Sequence, residues 1–157
     1  MTILLLGFYA INGFSQNDTL NIDLNDSTKL TLIKEKFIKG NRDIIYWDST
    51  QQAITSIDNM PVYGTDATMP LTELTFAELQ LNDKKIKLET TGMFDPWTEA
   101  DTIIRYEIEK HLGNPMKLRC LFSYGAGAYL VEWTIIGEKS HKTMITHDMR
   151  VLDVIDF

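Results

Sequence analysis

Residues 75–90, TFAELQLNDKKIKLET, indicate the fold more clearly than any other part of the chain. Apolar and polar residues alternate on both sides of Asn82 and Asp83, a pair that favours a tight turn. Such alternation places one side of each strand in a core and the other side in solvent. The stretch therefore predicts a β-hairpin with one apolar and one charged face. Its first arm carries acidic side chains and its second arm basic ones, so that pairs across the strands attract.

The same alternation recurs later in the chain, in residues 116–122 and in residues 129–135. Trp133 lies on the apolar side of the second run and is predicted to be a core residue. In all, about seven or eight short strands follow one another at intervals of roughly 8–12 residues, as in β-sandwiches and small barrels. The predicted fold is mainly β, with α+β as an alternative: a single antiparallel β-sandwich or partly open barrel with one or two short helices.

Two segments fit more than one kind of element. Leu30, Ile33 and Phe37 are spaced as on one face of a helix, so that residues 29–39 fit either a helix or a strand. Residues 98–112 carry both a helical repeat of apolar residues and a strand alternation. A strand is favoured there because the segment that follows alternates cleanly and could pair with it.

The composition of the 157-residue chain is that of a globular protein, with 44% hydrophobic and 24% charged residues, and its length fits one domain. The single cysteine, Cys120, excludes an intrachain disulfide; it lies on the apolar side of its strand and is predicted to be buried and inert. Twenty-two acidic against 15 basic residues give a net charge of −7. This balance argues against nucleic acid as a partner, because phosphate binding depends on Lys and Arg.

The N-terminus has the features of a secretory signal peptide. Residues 3–11 form an apolar run that is too short to span a bilayer, and the small residues Gly13 and Ser15 mark a cleavage site before Gln16. No basic residue precedes Lys29, and the alternative is a buried N-terminal strand. The next segment is rich in Asn, Asp and Thr, which is typical of a solvated leader. The predicted segments are a signal peptide at residues 1–15, a flexible leader at 16–28 and a single β-rich domain at 29–157. The protein is then exported (periplasmic, cell-envelope or secreted), with no transmembrane segment after signal cleavage.

Charge is distributed unevenly along the chain. Residues 29–42 carry five basic residues and one acidic residue, whereas residues 43–83 carry seven acidic residues and none that is basic. The favoured interpretation is that charges of the two blocks pair within the molecule. The alternative is a basic patch for a membrane surface or an anionic polymer.

Two loops supply candidate contact residues. In residues 93–97, MFDPW, the favoured interpretation is that the rings pin the loop to the sheet, and the alternative is an exposed aromatic surface for a protein or a glycan. In residues 124–127, YGAG, a tight turn is favoured over close approach of a ligand to glycine backbone. The candidate contact residues are Asp66, Met93, Phe94, Asp95, Trp97, Tyr124, Gly125 and Gly127.

Patterns for metal binding or catalysis are weak. Asp95, Glu99 and Asp101 lack the glycine and the distant glutamate of a calcium loop, and the three histidines lack zinc spacing. No cofactor and no metal are therefore predicted. Glu132 lies opposite the aromatic side of its strand and is interpreted as solvent-facing; if both sides of the sheet were covered, it would need a partner such as Arg119.

Three stretches occur together: VYGTD at residues 62–66, MFDPW at 93–97, and LFSYGAGAY at 121–129 followed by Glu132-Trp133. In this combination the chain resembles a group of small uncharacterised bacterial proteins, over about residues 54–150. The resemblance implies a single β-rich unit. No activity is known for that group, so the resemblance transfers no functional residue.

These features predict an exported β-rich binding module of a bacterial cell envelope or periplasm, which binds a protein or glycan and is a monomer or weak oligomer. Two alternatives remain open. A hydrolase would use Asp66, Asp95 or Glu132 as acid or base in a cleft. An immunity-like or inhibitor protein would present the acidic residues of 43–83 to a basic partner.

Overall fold

The computed structural model describes residues 17–47, 50, 53–97, 105–109, 115–123 and 125–152. The predicted signal peptide at residues 1–15 lies outside them, and so does the candidate contact residue Tyr124. Within the described residues, eleven β-strands form three antiparallel sheets, accompanied by one 3-10 turn and one turn of α-helix. The predicted fold class, mainly β and sandwich-like, is confirmed.

In chain order the strands are β1 (Asn17–Asn25), β2 (Thr28–Lys36), β3 (Ile44–Tyr46), β4 (Ile54–Ile57), β5 (Met60–Pro61), β6 (Thr72–Leu81), β7 (Lys84–Lys87), β8 (Arg105–Glu109), β9 (Met116–Phe122), β10 (Tyr129–Ile136) and β11 (Lys139–Thr146). The first sheet has the order β1-β2-β6-β7, the second β11-β10-β9-β8, and the small third sheet β3-β4-β5. The 3-10 turn spans Gly125–Gly127, and the helical turn α1 spans Met149–Leu152.

Hydrogen bonds join the two large sheets along both sides of the sandwich. On one side the Tyr106 hydroxyl of β8 donates to the Asp23 carbonyl of β1 (3.4 Å). On the other side the Ser140 hydroxyl of β11 donates to the Lys87 carbonyl of β7 (2.7 Å). The inner faces of the first two sheets therefore enclose one core.

The predicted hairpin is confirmed as β6 and β7. Leu79 pairs with Ile86 across the strands, and both side chains are buried. On the outer face Lys85 forms an ion pair with Glu78 (3.0 Å), as the separation of charge between the two arms predicts. Asn82 closes the turn with a positive φ of 52°, a conformation that Asn adopts more readily than most residues.

Trp133 lies at the centre of the main core, as predicted. Its side chain is 0% exposed, its indole N–H donates to the Glu89 carbonyl (2.9 Å), and its ring meets Phe122 edge to face at 6.2 Å. Cys120 is buried in the same core, which confirms that it packs as a small apolar residue. The remaining buried members of this core come from β2, β6, β7, β9 and β10 and from the loop that follows β7.

A second, smaller core lies beneath the third sheet. Phe37, Ile54, Ile57 and Phe94 are buried there, and Phe37 and Phe94 meet edge to face at 5.6 Å. Phe94 belongs to the MFDPW stretch, so this loop closes one end of the molecule. The preceding residue, Met93, packs in the main core, so consecutive residues of this loop contribute to the two cores.

The structure corrects the predicted flexible leader at residues 16–28. Residues 17–25 form β1, which pairs with β2 along its whole length, and Leu20, Ile22 and Leu24 pack against the main core. These apolar residues alternate with Asn, Asp and Thr, so that the polar composition hides an amphipathic edge strand. The β-rich unit therefore includes residues 17–25, and the predicted boundary at residue 29 is too late.

The first ambiguous segment is a strand up to Lys36, and the second is a strand where the structure describes it. In β2 the buried residues Leu30 and Leu32 follow the two-residue period of a strand. Residues 105–109 form β8, which pairs with β9 and confirms the preference for a strand there. The rest of the 98–112 segment lies outside the described residues.

Candidate functional site

The three stretches that carry the resemblance meet at one end of the sandwich. Tyr63 and Met93 form a parallel bridge, and the Phe94 N–H donates to the Tyr63 carbonyl (3.3 Å). The Ser123 hydroxyl donates to the Gly64 carbonyl (3.3 Å), and the Ser123 N–H donates to the Pro96 carbonyl (2.8 Å). Backbone contacts thus join segments that are far apart in the chain.

Two glycines permit this close approach. Gly64 has a φ of +93°, and a Cβ added there would lie 1.8 Å from the Phe94 carbonyl oxygen and 3.0 Å from the Tyr129 ring. A Cβ on Gly127 would lie 2.8 Å from the Gly64 carbonyl oxygen. Gly125, by contrast, has a φ of +59° and open space around it. Gly64 and Gly127 are therefore required by the packing of backbone on backbone, and Gly125 by the turn that it begins.

A cleft of about 230 Å³ opens beside this junction. The candidate residues Asp66 and Gly127 line it together with His147, which lies at the end of β11 and whose ring is 5.7 Å from that of Tyr63. The other lining residues are Ile54, Val62, Tyr63, Gly64, Thr65, Ala67 and Ala126. The cleft thus combines an exposed carboxylate, an exposed imidazole and a half-buried aromatic ring.

Two buried hydroxyl groups at this end of the molecule have no hydrogen-bond partner among the described residues. One is the Thr65 hydroxyl, on a residue that lines the cleft. The other is the Tyr129 hydroxyl, whose ring lies 6.1 Å from Tyr63. Burial, and to a lesser extent the charge of Asp95, raises the pKa of Tyr129 well above its usual value, so that this hydroxyl stays protonated. Unpaired buried hydroxyls are costly, and they mark places where a bound polar group would be stabilised.

The large apolar side chains of the MFDPW loop face inward. Met93, Phe94 and Trp97 are no more than 3% exposed, so the loop is pinned by its apolar side chains and forms no exposed aromatic surface. The Trp97 indole N–H donates to Asp18 (3.2 Å), and Lys34 donates to the Trp97 carbonyl (2.9 Å) while pairing with Asp18 (3.0 Å). Three of the candidate contact residues therefore belong to the core.

Asp95 anchors the same loop through hydrogen bonds. Its carboxylate accepts hydrogen bonds from the Leu71 N–H (3.0 Å), the Thr72 N–H (2.7 Å) and the Thr72 hydroxyl (3.0 Å). Its backbone has a φ of 36°, which these bonds hold in place. Neither Asp95 nor Glu132 lines the cleft that Asp66 lines, so the three acids considered for a hydrolase are not brought together there.

Glu132 is buried, not solvent-facing, which corrects the favoured interpretation. It is 7% exposed, accepts a hydrogen bond from Arg119 Nε (2.8 Å) and another from the Thr143 hydroxyl (2.9 Å), and pairs with Lys117 (3.4 Å). Burial alone would raise the pKa of Glu132, but the hydrogen bonds from Arg119 and Thr143, with the charge of Lys117, lower it. Neighbouring side chains on the outer face of the second sheet cover the carboxylate, and Arg119 is the predicted partner.

The basic block of residues 29–42 is largely neutralised within the molecule. Lys29 pairs with Asp23 (3.4 Å) and Lys34 with Asp18, both acids of β1. Arg42 bridges the block to the acidic stretch, through Asp58 (3.0 Å) and Glu73 (2.6 Å). Intramolecular pairing is thus the interpretation that the structure supports, although two of the partners come from the segment expected to be a leader.

Three of the seven acids of residues 43–83 are paired with basic side chains. Two of them pair with Arg42, and Glu78 pairs with Lys85 on the hairpin. This neutralisation weakens the inhibitor alternative.

Among the described residues no group of three or more His, Cys, Asp or Glu side chains could hold a metal ion. In the same part of the chain no helix is long and apolar enough to cross a membrane.

The structure also exposes residues that the sequence patterns did not single out. Trp47 is 79% exposed, and Ile45, two residues earlier on β3, is 46% exposed. Their short apolar run does not indicate which side chains face outward, because the second core, which covers Ile44 and Tyr46, is built from distant segments.

Comparison of the chain with protein-family models, with curated proteins and with solved structures finds no match.

Proposed function

We propose that the protein is an exported bacterial binding module that holds a small, hydroxyl-rich group in the cleft beside Asp66, Gly127 and His147. The observation that carries this proposal is a cleft lined by residues of two of the three stretches, VYGTD and LFSYGAGAY, beside the point where they meet the MFDPW loop. Thr65, in the lining of this cleft, has a buried hydroxyl without a hydrogen-bond partner among the described residues, whereas Met93, Phe94 and Trp97 are buried in the cores.

The size and chemistry of the cleft favour one sugar residue of a glycan. Its volume of about 230 Å³ is below the roughly 300–1,000 Å³ of sites for drug-sized ligands. The Asp66 carboxylate can accept hydrogen bonds from hydroxyl groups, the unpaired Thr65 hydroxyl can exchange one with the ligand, and the Tyr63 ring offers an apolar wall.

A larger hollow, of about 510 Å³, supports no comparable proposal. It lies between the turns of the two hairpins of the first sheet and is lined by polar residues of these turns and of the adjoining strands, without an aromatic wall. One of them, Thr28, also has a buried hydroxyl without a partner among the described residues. None of its lining residues belongs to the three stretches.

Binding is favoured over hydrolysis by the state of the acids. A general acid needs a raised pKa, and the hydrogen bonds to Glu132 lower its pKa. Asp95 is fully engaged by Leu71 and Thr72. Asp66 therefore has neither Asp95 nor Glu132 beside it in the cleft as the second acid of a hydrolytic pair.

Export rests on the apolar run at residues 3–11 and the small residues before Gln16. Cleavage after Ser15 would leave β1, which starts at Asn17, intact. The intact mass of protein from the envelope fraction and the cytosol tests this part. A mature chain that starts at Gln16 in the envelope is expected, and an uncut chain confined to the cytosol would contradict export.

The cleft is tested by calorimetry against mono- and oligosaccharides selected from a glycan array. Asp66→Asn is expected to weaken binding by about tenfold or more, because it replaces a charged acceptor by a neutral amide with one acceptor oxygen. Asp83→Asn, which removes the same charge from an exposed turn outside the cleft, is the matched control and should bind as the wild type does. Equal affinity of the wild type and Asp66→Asn would place the ligand elsewhere.

A further inference from the structure

Three consecutive residues of the cleft, Thr65, Asp66 and Ala67, carry three different chemical groups. Asp66 supplies an exposed carboxylate, which accepts hydrogen bonds, and Ala67 supplies an exposed methyl group. Thr65 supplies a hydroxyl that is buried and has no hydrogen-bond partner among the described residues. These three residues, called the 65–67 segment below, decide which ligand the cleft can hold.

Ala67 has a backbone conformation that its side chain disfavours. Its φ is +54°, whereas the other non-glycine residues with a positive φ in the described part of the chain are Asp, Asn or Ser. The Ile54 N–H donates to the Ala67 carbonyl (2.7 Å) and holds this conformation in place. Glycine would adopt it without steric cost, but glycine would remove the methyl group from the cleft. Strain of this kind is typical of functional sites.

The Thr65 hydroxyl also lowers stability, because a buried hydroxyl without a partner has lost its hydrogen bonds to water. Valine has nearly the same shape and would avoid this loss. Two residues of the 65–67 segment thus carry groups that are unfavourable for folding, and both residues line the cleft. A ligand that bonds to the hydroxyl and covers the methyl group would compensate for both.

The charge of the cleft restricts the ligand further. Its described lining residues include the acid Asp66 and the imidazole of His147, but no Lys or Arg. A sugar that carries a carboxylate or a phosphate would meet the Asp66 charge without a permanent cation to balance it. The apolar side chains of the lining are Ile54, Val62, Ala67 and Ala126. A neutral sugar with a small apolar substituent fits both the charge and the apolar lining.

We infer that the ligand of the cleft is an N-acetylhexosamine whose acetamido group lies against the 65–67 segment. The acetamido N–H can donate to the Asp66 carboxylate, and the acetamido carbonyl can accept from the Thr65 hydroxyl. The acetamido methyl group can pack on Ala67. This inference rests on the proposed function in taking a glycan as the ligand, and it deepens that function by naming the sugar.

Three trisaccharides that differ only in the substituent at C2 of each sugar test the inference by calorimetry. Chitotriose carries acetamido groups, cellotriose hydroxyls and the chitosan trimer amines. Chitotriose is expected to bind at least about tenfold more tightly than cellotriose, because only the acetamido group pairs with both polar groups of the 65–67 segment. Binding of cellotriose or of the chitosan trimer as tightly as chitotriose would overturn the inference.

A disaccharide of peptidoglycan serves as a further probe, since chitin and peptidoglycan are two polymeric sources of this sugar. Binding of either probe more tightly than cellotriose supports the inference and distinguishes the sources. Absence of binding to every probe would reject the inference and the proposed function together.

Two variants of the 65–67 segment separate a role in binding from a role in folding. Thr65→Val should weaken chitotriose binding by about tenfold, and Ala67→Gly by about fourfold for one methyl group. Neither variant should lower the urea midpoint of unfolding, because each removes a feature that is unfavourable in the folded protein. A lower midpoint with unchanged binding would mean that these residues serve the fold, which would overturn the inference.

Thr28→Val is the matched control. Thr28 is 2% exposed, its hydroxyl also has no partner among the described residues, and it lies outside the cleft. The same substitution should therefore leave chitotriose binding unchanged without lowering the urea midpoint. Equal weakening by Thr28→Val and Thr65→Val would show that the effect does not arise in the cleft, and would overturn the inference.

The Asp66→Asn variant separates failure of the inference from failure of the proposed function. Weakened binding of any of the sugars in Asp66→Asn, with wild-type affinity in Thr65→Val, would keep the cleft as the binding site and overturn its selection of the acetamido group. Wild-type affinity in both variants would reject the cleft, and with it the proposed function and the inference.

Discussion

At the scale of single residues, Gly64 shows how this end of the molecule is built. Its positive φ is unfavourable for other residues, and the Phe94 carbonyl occupies the place where a Cβ would lie. The residue therefore joins the loop before the cleft to the MFDPW loop. With a side chain at position 64, the turn and the close contact could be kept only if the backbone shifted.

Gly64→Ala is expected to lower the free energy of unfolding by about 2–4 kcal/mol, because conformational strain and a backbone clash add. Gly125→Ala is the control: its φ of +59° is also positive but lies in the left-handed helical region, with open space around it, and the substitution should cost only about 1 kcal/mol. Urea denaturation measures both. Equal losses would show that the contact between Gly64 and Phe94 does not constrain the fold.

Glu132 shows how a buried charge is stabilised on the outer face of the second sheet. Because its pKa is lowered in the folded state, its contribution to stability is present above the ordinary value of 4.5 and is lost as the pH falls through the folded value. Glu132→Gln is expected to cost about 1–3 kcal/mol at neutral pH. The difference from the wild type should shrink below pH 4.5.

Urea denaturation of both proteins between neutral pH and pH 3 tests this dependence. Glu138→Gln removes a carboxylate from an exposed pair with Lys84 (2.9 Å) and should leave stability nearly unchanged, because solvent screens that pair. A difference between Glu132→Gln and the wild type that stays constant with pH would contradict the role given to the Glu132 charge.

At the scale of elements, β1 is an edge strand whose polar side conceals its apolar side. Leu20, Ile22 and Leu24 contact the main core, and Asp18 at its start holds Lys34 and the Trp97 ring. Lys34 also lies 4.9 Å from the centre of that ring. The strand thus links the first sheet to the loop that supports the cleft.

A chain that begins at Thr28 should therefore be less stable than one that begins at Gln16, by at least about 3 kcal/mol for three partly buried aliphatic side chains. Thermal and urea unfolding of the two chains measure the difference. The longer chain is the control, because it keeps β1 and lacks only the predicted signal peptide. Equal stability would restore the interpretation of a flexible leader.

At the scale of the whole molecule, one core between two four-stranded sheets carries the stability, and the third sheet adds a smaller core at one end. The tryptophans illustrate the division. Trp133 is enclosed between the sheets, whereas Trp47, which follows β3, is 79% exposed. Substitutions at the two positions should consequently differ in their effect on the free energy of unfolding.

Trp133→Ala is expected to cost ~3–5 kcal/mol, because it removes a fully buried ring and leaves a cavity. Trp47→Ala should change stability by no more than about 0.5 kcal/mol. Chemical denaturation of both variants provides the comparison. A loss below about 1 kcal/mol at Trp133 would contradict its place in the core, since core truncations of this size cost several times more.

Local patterns were sufficient for the hairpin of β6 and β7, for the strands β9 and β10, and for the mainly β fold. Strand formation leaves a period of two in the sequence wherever one side is buried, and that period needs no knowledge of the rest of the chain. The burial of Cys120 and Trp133 follows from the same period. Of the candidate site, Asp66 and Gly127 line the cleft.

Contacts between distant segments determine which side chains of the loops and strands are buried. Trp97 is buried because Asp18 and Lys34, nearly 80 and about 60 residues earlier, meet it, and Glu132 is covered because Arg119 and Thr143 flank it on neighbouring strands. His147 joins the cleft for the same reason. Burial is a property of the packed sandwich. A short stretch of sequence carries no information about which distant segments will cover its side chains.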